Sequence, residues 1–280
     1  MGWRDDLTIA TTLDHQMTKK PASPAGLRVV GVIMTYNCAR LVARAIRNVP
    51  RECFDEIICV DDGSTDDTVA VVRDLGVSVF THPHSGYGGN LFFGFRKALE
   101  MGATHIIELH GDGQYDFAAV PEALERLAGG CDLILGNRYY EMLQPRRDGM
   151  DLARYLGNIF LSTIGRVGLG IPTRDLFPGF RAYSRRFVET IAIENTSTNY
   201  FFSFEIIAQA RYCGLRICQV PVRCDYKGEH SSMKLSKGFP AILHTCGTVI
   251  LYRLARLHIK RGIFASLQPL QEERDRRGSR

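Results

Sequence analysis

Short apolar runs alternate with amphipathic stretches along the first half of the chain. The apolar runs are typical of strands buried on both faces of a sheet, and the stretches between them have helical spacing. This alternation predicts an α/β fold, a mostly parallel sheet with helices on both faces. The predicted strands are residues 28–34, 56–60, 77–80, 105–109 and 132–135, and the predicted helices are residues 39–48, 66–75, 90–101 and 117–127.

Polar sequence with glycine or asparagine follows four of the predicted strands. The carboxyl ends of parallel strands gather at one edge of the sheet, which is where open α/β sheets bind their ligands. We therefore expect the candidate site at this edge. The four segments are Thr35–Asn37, Asp61–Ser64, His110–Gln114 and Gly136–Arg138.

The segment after the strand at 105–109 has the composition of a cation site. His110, Asp112 and Gln114 alternate with glycines, and a spacing of two in extended chain directs all three side chains the same way. An imidazole with carboxylate and amide oxygens suits Mn²⁺ or Mg²⁺ better than a structural zinc. The alternative is an ordinary glycine-rich turn in which Asp112 is a capping residue.

Composition and missing motifs exclude several classes of protein. The first strand is not followed by GxGxxG, and the chain has no GxxxxGK[ST], so dinucleotide and P-loop folds are excluded. A net charge of +5 over 280 residues does not indicate nucleic-acid binding. Eight cysteines without a CxxC pair predict reduced, mostly buried thiols in a cytosolic protein.

The two ends of the chain differ in character from its middle. Residues 1–26 are polar, which predicts a disordered leader. Residues 27–237 are predicted to form the α/β domain, and residues 266–280 a disordered tail. Residues 238–265 have apolar positions at helical spacing and a basic end, which predicts an amphipathic helix lying in a membrane interface. The similarly apolar segment 152–170 would flank it. The alternative is that both pack on the sheet or on a partner subunit.

Six polar or glycine-containing segments follow one another along the chain: Val60–Asp66, Gly86–Gly94, His110–Gln114, Gly136–Arg138, Asp175–Tyr183 and Val220–Lys237. In this order they resemble the GT-A glycosyltransferases of family 2, and within them the dolichyl- or polyprenyl-phosphate sugar transferases. Two positions depart from the family pattern: His110 stands where the family has an aspartate, and Cys38 where an acid often follows the Tyr-Asn pair. Because imidazole is a poorer ligand for Mg²⁺ than for Mn²⁺, the first departure leaves the choice of metal open.

The resemblance implies a role for each matching residue. A nucleotide sugar, GDP- or UDP-hexose, would be bound by Thr35, Tyr36, Asn37, Asp61, Asp62, Gly89 and Asp112. The cation, Mn²⁺ or Mg²⁺, would be held by His110, Asp112 and Gln114. The catalytic residues would be Asp112, Arg138, Arg181 and Lys234, and Asp175 would orient Arg181.

The expected reaction is transfer of a hexose, with inversion, to a polyprenyl phosphate. A lipid phosphate is already an anion, so it can attack without a general base. The site must instead supply cations that hold the phosphate in place. The enzyme would lie peripherally at the cytoplasmic face of the membrane, alone, as a homo-oligomer or with an anchoring subunit. Two alternatives are a hydroxyl acceptor such as a glycan, with Glu205 or another acid as base, and a non-catalytic subunit that only binds the nucleotide sugar.

Overall fold

A computed structural model describes residues 27–226 and 238–270 of the chain. The predicted leader at residues 1–26, the predicted acceptor loop with Lys234, and most of the predicted tail lie outside the described residues.

The described chain forms a seven-stranded sheet with the strand order β3-β2-β1-β4-β6-β5-β7. All neighbouring strands are parallel except β6, which is antiparallel to both β4 and β5. The predicted mostly parallel α/β sheet is confirmed, although β6 and β7 were not among the predicted strands. The strands are β1 (Val29–Thr35), β2 (Glu56–Asp61), β3 (Ser78–Thr81), β4 (His105–His110), β5 (Leu133–Asn137), β6 (Arg181–Ser184) and β7 (Ile217–Pro221).

Helices cover both faces of the sheet, as the alternation predicts. One apolar core lies between the sheet and α3, α8 and α9, and a second lies between the opposite face and α1, α2 and α4. The helices are α1 (Ala39–Arg47), α2 (Thr68–Asp74), α3 (Gly86–Glu100), α4 (Val120–Ala128), α5 (Gln144–Arg147), α6 (Leu152–Leu169), α7 (Arg185–Thr190), α8 (Phe202–Cys213) and α9 (Gly238–Arg256).

Helix α9 is shorter than the 238–265 helix predicted from the sequence. It ends at Arg256, and His258 has a φ of 66°, a left-handed conformation that an α-helix cannot continue through. Its buried positions repeat every three to four residues and pack against α6 and α8. In the described part of the chain, no helix has both the length and the apolar composition of a membrane span. The buried positions are Ala241, Thr245, Thr248, Tyr252 and Ala255.

The prediction that all cysteines are reduced is wrong for one pair. Cys131 and Cys218 form a disulfide with their Cα atoms 6.1 Å apart, although 87 residues separate them in sequence. The parallel pairing of β5 with β7 brings these distant segments together, which cysteine spacing cannot reveal. Among the free thiols, burial raises the pKa of Cys38 to about 11 and the pKa of Cys59 to about 12, so both stay protonated.

Candidate active site

A polar cavity of about 710 Å³ opens at the carboxyl edge of the sheet, where the sequence predicts the site. Its walls come from the ends of β1 and β4, the start of α3, the loop at residues 177–179, and Tyr200 and Ser203 at the start of α8. It brings together many of the predicted residues, and we call it the polar cavity. Those residues are Thr35, Tyr36, Asn37, Asp62, His110, Asp112 and Gln114.

Asp61 does not face the polar cavity. It is 1% exposed, and its carboxylate accepts hydrogen bonds from the Thr35 hydroxyl at 2.9 Å and from the Ser64 backbone N–H at 2.8 Å. The Ser64 hydroxyl also donates to it. Asp61 therefore shapes the turn after β2 and joins it to the end of β1, and its predicted contact with a nucleotide stays a prediction.

Asp62 fixes the segment that leads into α3. Its carboxylate accepts hydrogen bonds from the backbone N–H groups of Ser85, at 2.7 Å, and Gly86, at 3.0 Å. His84 Nδ1 lies 2.9 Å from the same carboxylate, and the His84 ring stacks on Tyr36 with centroids 4.5 Å apart. Asp62 thus holds an aromatic pair at the wall of the polar cavity. His84 belongs to no sequence motif and was not among the predicted site residues.

The glycines at the start of α3 make room for protein backbone. A Cβ on Gly86, whose φ is +85°, would come within 2.7 Å of the Thr198 carbonyl oxygen, and a Cβ on Gly88 within 2.6 Å of the Ser197 carbonyl oxygen. A Cβ on Gly89 would meet only the Ser85 side chain. Gly89 is therefore not brought to the polar cavity, and its predicted nucleotide contact stays a prediction.

Asp112 offers a carboxylate oxygen to the polar cavity. Its Oδ1 accepts a hydrogen bond from the Gln114 backbone N–H at 3.0 Å, whereas Oδ2 makes no hydrogen bond to any described residue. His110 Nε2 lies 3.0 Å from Glu108 Oε1. Within residues 27–226 and 238–270, no three His, Cys, Asp or Glu side chains gather as a complete cation site would require.

Glu108 is a fully buried carboxylate behind the polar cavity. Its oxygens accept hydrogen bonds from the Tyr87 hydroxyl at 2.5 Å and the Tyr183 hydroxyl at 2.6 Å, in addition to His110. Burial favours the neutral acid, but His110, Arg181 and the Tyr183 hydrogen bond outweigh it and lower the pKa of Glu108. For His110, burial acts to lower the pKa, but the contact with Glu108 has the larger effect. The pKa of His110 is therefore raised.

Arg181 lies opposite Glu108 on the antiparallel neighbour β6. The side chain is 0% exposed, and none of its three guanidinium nitrogens has a hydrogen-bond partner within the described residues. Burial acts to lower the pKa of Arg181, but the neighbouring Tyr87, Tyr183 and Glu108 raise it above its ordinary value, so the group stays charged. The structure does not bring Arg181 to the wall of the polar cavity.

Arg138 is the partner of Asp175, which was predicted to orient Arg181. Its Nε and Nη2 donate to the two Asp175 oxygens at 2.7 and 2.9 Å, and its Nη1 donates to the Tyr226 hydroxyl at 3.0 Å. The expected pairing was wrong because Asp175 reaches across to the end of β5, where it also accepts from the Arg138 backbone N–H. This bidentate pair holds the guanidinium rigidly.

Arg138 borders a second cavity of about 300 Å³, which we call the apolar groove. It lies between α6, α8 and α9, and its lining includes Leu161, Phe201 and Phe204, with Arg154 and His244 among the polar side chains. The polar cavity and the apolar groove have a common wall. The residues that line both are Gln114, Phe177, Tyr200 and Ser203.

The chain is similar to solved and characterised proteins. It superimposes on glucosyl-3-phosphoglycerate synthase from Mycobacterium tuberculosis, solved with Mn²⁺, UDP and glucosyl-3-phosphoglycerate, with a TM-score of 0.59 over 86% of this chain and 84% of that one. At 19% identity, the likeness concerns the fold. It is 27% identical to the polyprenol monophosphomannose synthase of Mycolicibacterium smegmatis, over 70% of this chain and 76% of that protein.

Two further relatives carry related names. The UDP-N-acetylglucosamine–dolichyl-phosphate N-acetylglucosaminyltransferase of Methanococcus voltae is 24% identical, over 81% of this chain and 94% of that protein. The undecaprenyl-phosphate mannosyltransferase of Micrococcus luteus is 28% identical, over 70% of this chain and 83% of that protein. The family described as Glycosyl transferase family 2 matches residues 32–192, which include the polar strand ends, and the chain belongs to that family.

Proposed function

We propose that the protein transfers a hexose, with inversion, from a nucleoside-diphosphate sugar to a polyprenyl phosphate at the cytoplasmic face of the membrane. The observation that carries this proposal is the common wall between the polar cavity and the apolar groove. A donor bound in the first and a lipid bound in the second would meet beside Gln114. The names of the relatives support a polyprenyl-phosphate acceptor, and the Methanococcus voltae name also gives a UDP-sugar donor.

The donor would occupy the polar cavity. Tyr36 and His84 offer aromatic faces to a base, and Asn37 and Asp62 add polar groups. A divalent cation fits this site if the diphosphate completes it, because Asp112 presents an oxygen that no described residue hydrogen-bonds and Mg²⁺ is commonly held by one or two carboxylates with substrate phosphates. Such a cation would stabilise the leaving nucleoside diphosphate. Gln114 and His110 stay predicted ligands.

The acceptor would occupy the apolar groove. Isoprenoid units match its aliphatic and aromatic walls, and Arg138 and Arg154 stand at its polar side. The phosphate attacks as an anion, so no base is needed. Glu205, the base in the hydroxyl-acceptor alternative, accepts hydrogen bonds from Ser197 and His244 and is 4% exposed, which does not favour that role.

The proposed membrane contact uses the outer side of α6 and α9. Apolar side chains more than half exposed run along both helices, and exposed Arg166, Arg253 and Arg256 accompany them. Apolar groups flanked by cations suit an interface rich in anionic headgroups. We call the exposed apolar side chains of this surface the exposed stripe. They are Leu152, Leu156, Phe160 and Val167 on α6, Phe239, Leu243 and Ile250 on α9, and Leu257 directly after α9.

Two substitutions test this contact while leaving the core intact. Phe160→Gln combined with Ile250→Gln is expected to weaken binding to anionic liposomes by at least about tenfold, since each apolar side chain contributes roughly 1 kcal/mol or more on burial. The measurement is sedimentation with vesicles. Phe92→Gln, on α3, is the matched control because Phe92 is also exposed. Equal liposome binding by the double variant and the wild type would refute this surface.

The role of His110 is tested by restoring the acid that the family has there. His110→Asp is expected to shift the preference of nucleoside-diphosphate binding from Mn²⁺ towards Mg²⁺, because Mg²⁺ prefers oxygen ligands. Calorimetric titration with UDP and GDP in each metal measures the ratio of affinities without relying on turnover. An unchanged ratio would mean that His110 does not contact the cation.

A transfer assay tests the reaction itself. Labelled nucleotide sugars are offered with polyprenyl phosphate and Mn²⁺ or Mg²⁺, and the organic phase is counted. Metal-dependent label in the lipid is the expected result, and the sugar that labels it names the donor. Nucleotide-sugar binding without lipid labelling would overturn the proposal, and transfer to a soluble glycan instead would establish a hydroxyl acceptor.

A further inference from the structure

A buried carboxylate and an imidazole join α8 to α9 beside the apolar groove. Glu205 Oε1 lies 2.7 Å from His244 Nε2 and also accepts from the Ser197 hydroxyl at 2.8 Å, and Oε2 accepts from the Ser197 backbone N–H at 2.6 Å. Burial acts to raise the pKa of Glu205, but the hydrogen bonds from His244 and Ser197 have the larger effect. The pKa of Glu205 is therefore lowered. Glu205 is therefore an ionised acceptor, and His244 Nε2 carries the proton between them.

The same surroundings fix the plane of the imidazole. Phe201 stacks face to face on His244, with centroids 4.1 Å apart and an interplanar angle of 6°. Nδ1 is then the remaining polar atom of the ring, and it makes no hydrogen bond to any other described residue. His244 also lines the apolar groove, so the structure holds an oriented imidazole among mostly apolar walls.

We propose that His244 contacts the phosphate of the lipid acceptor and that Glu205 is its positioning residue. The inference rests on the proposed function and deepens it. Arg138 is already bound to Asp175, and Arg154 lies 3.6 Å from Asp151, so each of these cations has a carboxylate beside it. An imidazolium between Glu205 and a phosphate can donate from both nitrogens at once. His244 would thus supply a directed donor at the phosphate end of the groove.

Kinetic constants for the two substrates separate this role from a structural one. His244→Phe keeps a ring to stack on Phe201 but removes both nitrogens, and it is expected to raise the KM for polyprenyl phosphate by about 10- to 100-fold. The KM for the nucleotide sugar should change by less than about twofold, because His244 does not line the polar cavity. Glu205→Gln should raise the acceptor KM by less. Thr248→Val, buried on α9 away from both cavities, is the control for helix packing.

A titration of the wild-type protein provides a second readout if the variants fold poorly. The His244 ring resonances, assigned with His244→Gln, should shift on addition of farnesyl phosphate and much less with farnesol, which has the same chain without the phosphate. Equal shifts would overturn the phosphate contact. So would an unchanged acceptor KM in a folded His244→Phe protein that still transfers sugar. If the wild type does not label polyprenyl phosphate at all, the proposed function and this inference both fail.

Discussion

Replacing Asp112 by asparagine is expected to lower the transfer rate by about 10³-fold, which corresponds to roughly 4 kcal/mol of lost transition-state stabilisation. Asparagine keeps an oxygen that can accept from the Gln114 N–H, so the turn after β4 should survive. What disappears is the negative charge at Oδ2, which the proposed reaction needs to hold a cation against the diphosphate. Steady-state transfer to polyprenyl phosphate measures the loss.

Two companion measurements make the Asp112 result specific. The free energy of unfolding should stay within about 0.5 kcal/mol of the wild type, because the side chain is half-buried and makes one hydrogen bond. Asp116→Asn is the matched control: Asp116 is exposed, lies outside the polar cavity and also accepts from a backbone N–H. Near-normal turnover of Asp112→Asn would rule out the charge as a catalytic requirement.

The fold could be predicted where a strand contains a run of mostly apolar residues. β1, β2 and β4 are such runs, and their predicted bounds differ from the observed ones by one residue at most. β6 could not be predicted in this way, since four residues beginning with Arg181 give no periodic signal. Its antiparallel insertion between β4 and β5 depends on pairing with β4 across more than 70 residues of sequence, and with β5 across about 50, which local pattern does not encode.

The site could be predicted as far as the strand ends supply it. Thr35–Asn37 and His110–Gln114 reach the polar cavity because parallel strands bring their carboxyl ends to one edge. His84 and His244 were missed because their contacts come from segments distant in sequence. A signal for Glu108 did exist: a lone carboxylate within a strand buried on both faces must find partners, although the sequence does not reveal which.

Glu108→Gln is expected to lower the free energy of unfolding by about 3–5 kcal/mol, the range measured when one member of a buried charged pair is removed. The substitution leaves the Arg181 guanidinium in the interior without the carboxylate opposite it. It also replaces an acceptor of three hydrogen bonds by an amide, whose NH₂ group cannot accept from Tyr87 or Tyr183. Urea denaturation measures the change, with an unchanged m-value as the sign that the native state is retained.

Arg181→Met should behave differently, although it removes the other charge. The guanidinium makes no hydrogen bond to any described residue, and methionine fills a similar volume, so we expect a loss below about 1.5 kcal/mol. Glu108 would keep its tyrosine and histidine partners. The double variant should then be more stable than Glu108→Gln alone, because it has no uncompensated charge in the core. If the two losses simply add, Arg181 is not coupled to Glu108. Another group must then stabilise the Arg181 charge, and this result would favour the phosphate-binding role predicted for Arg181 from the sequence.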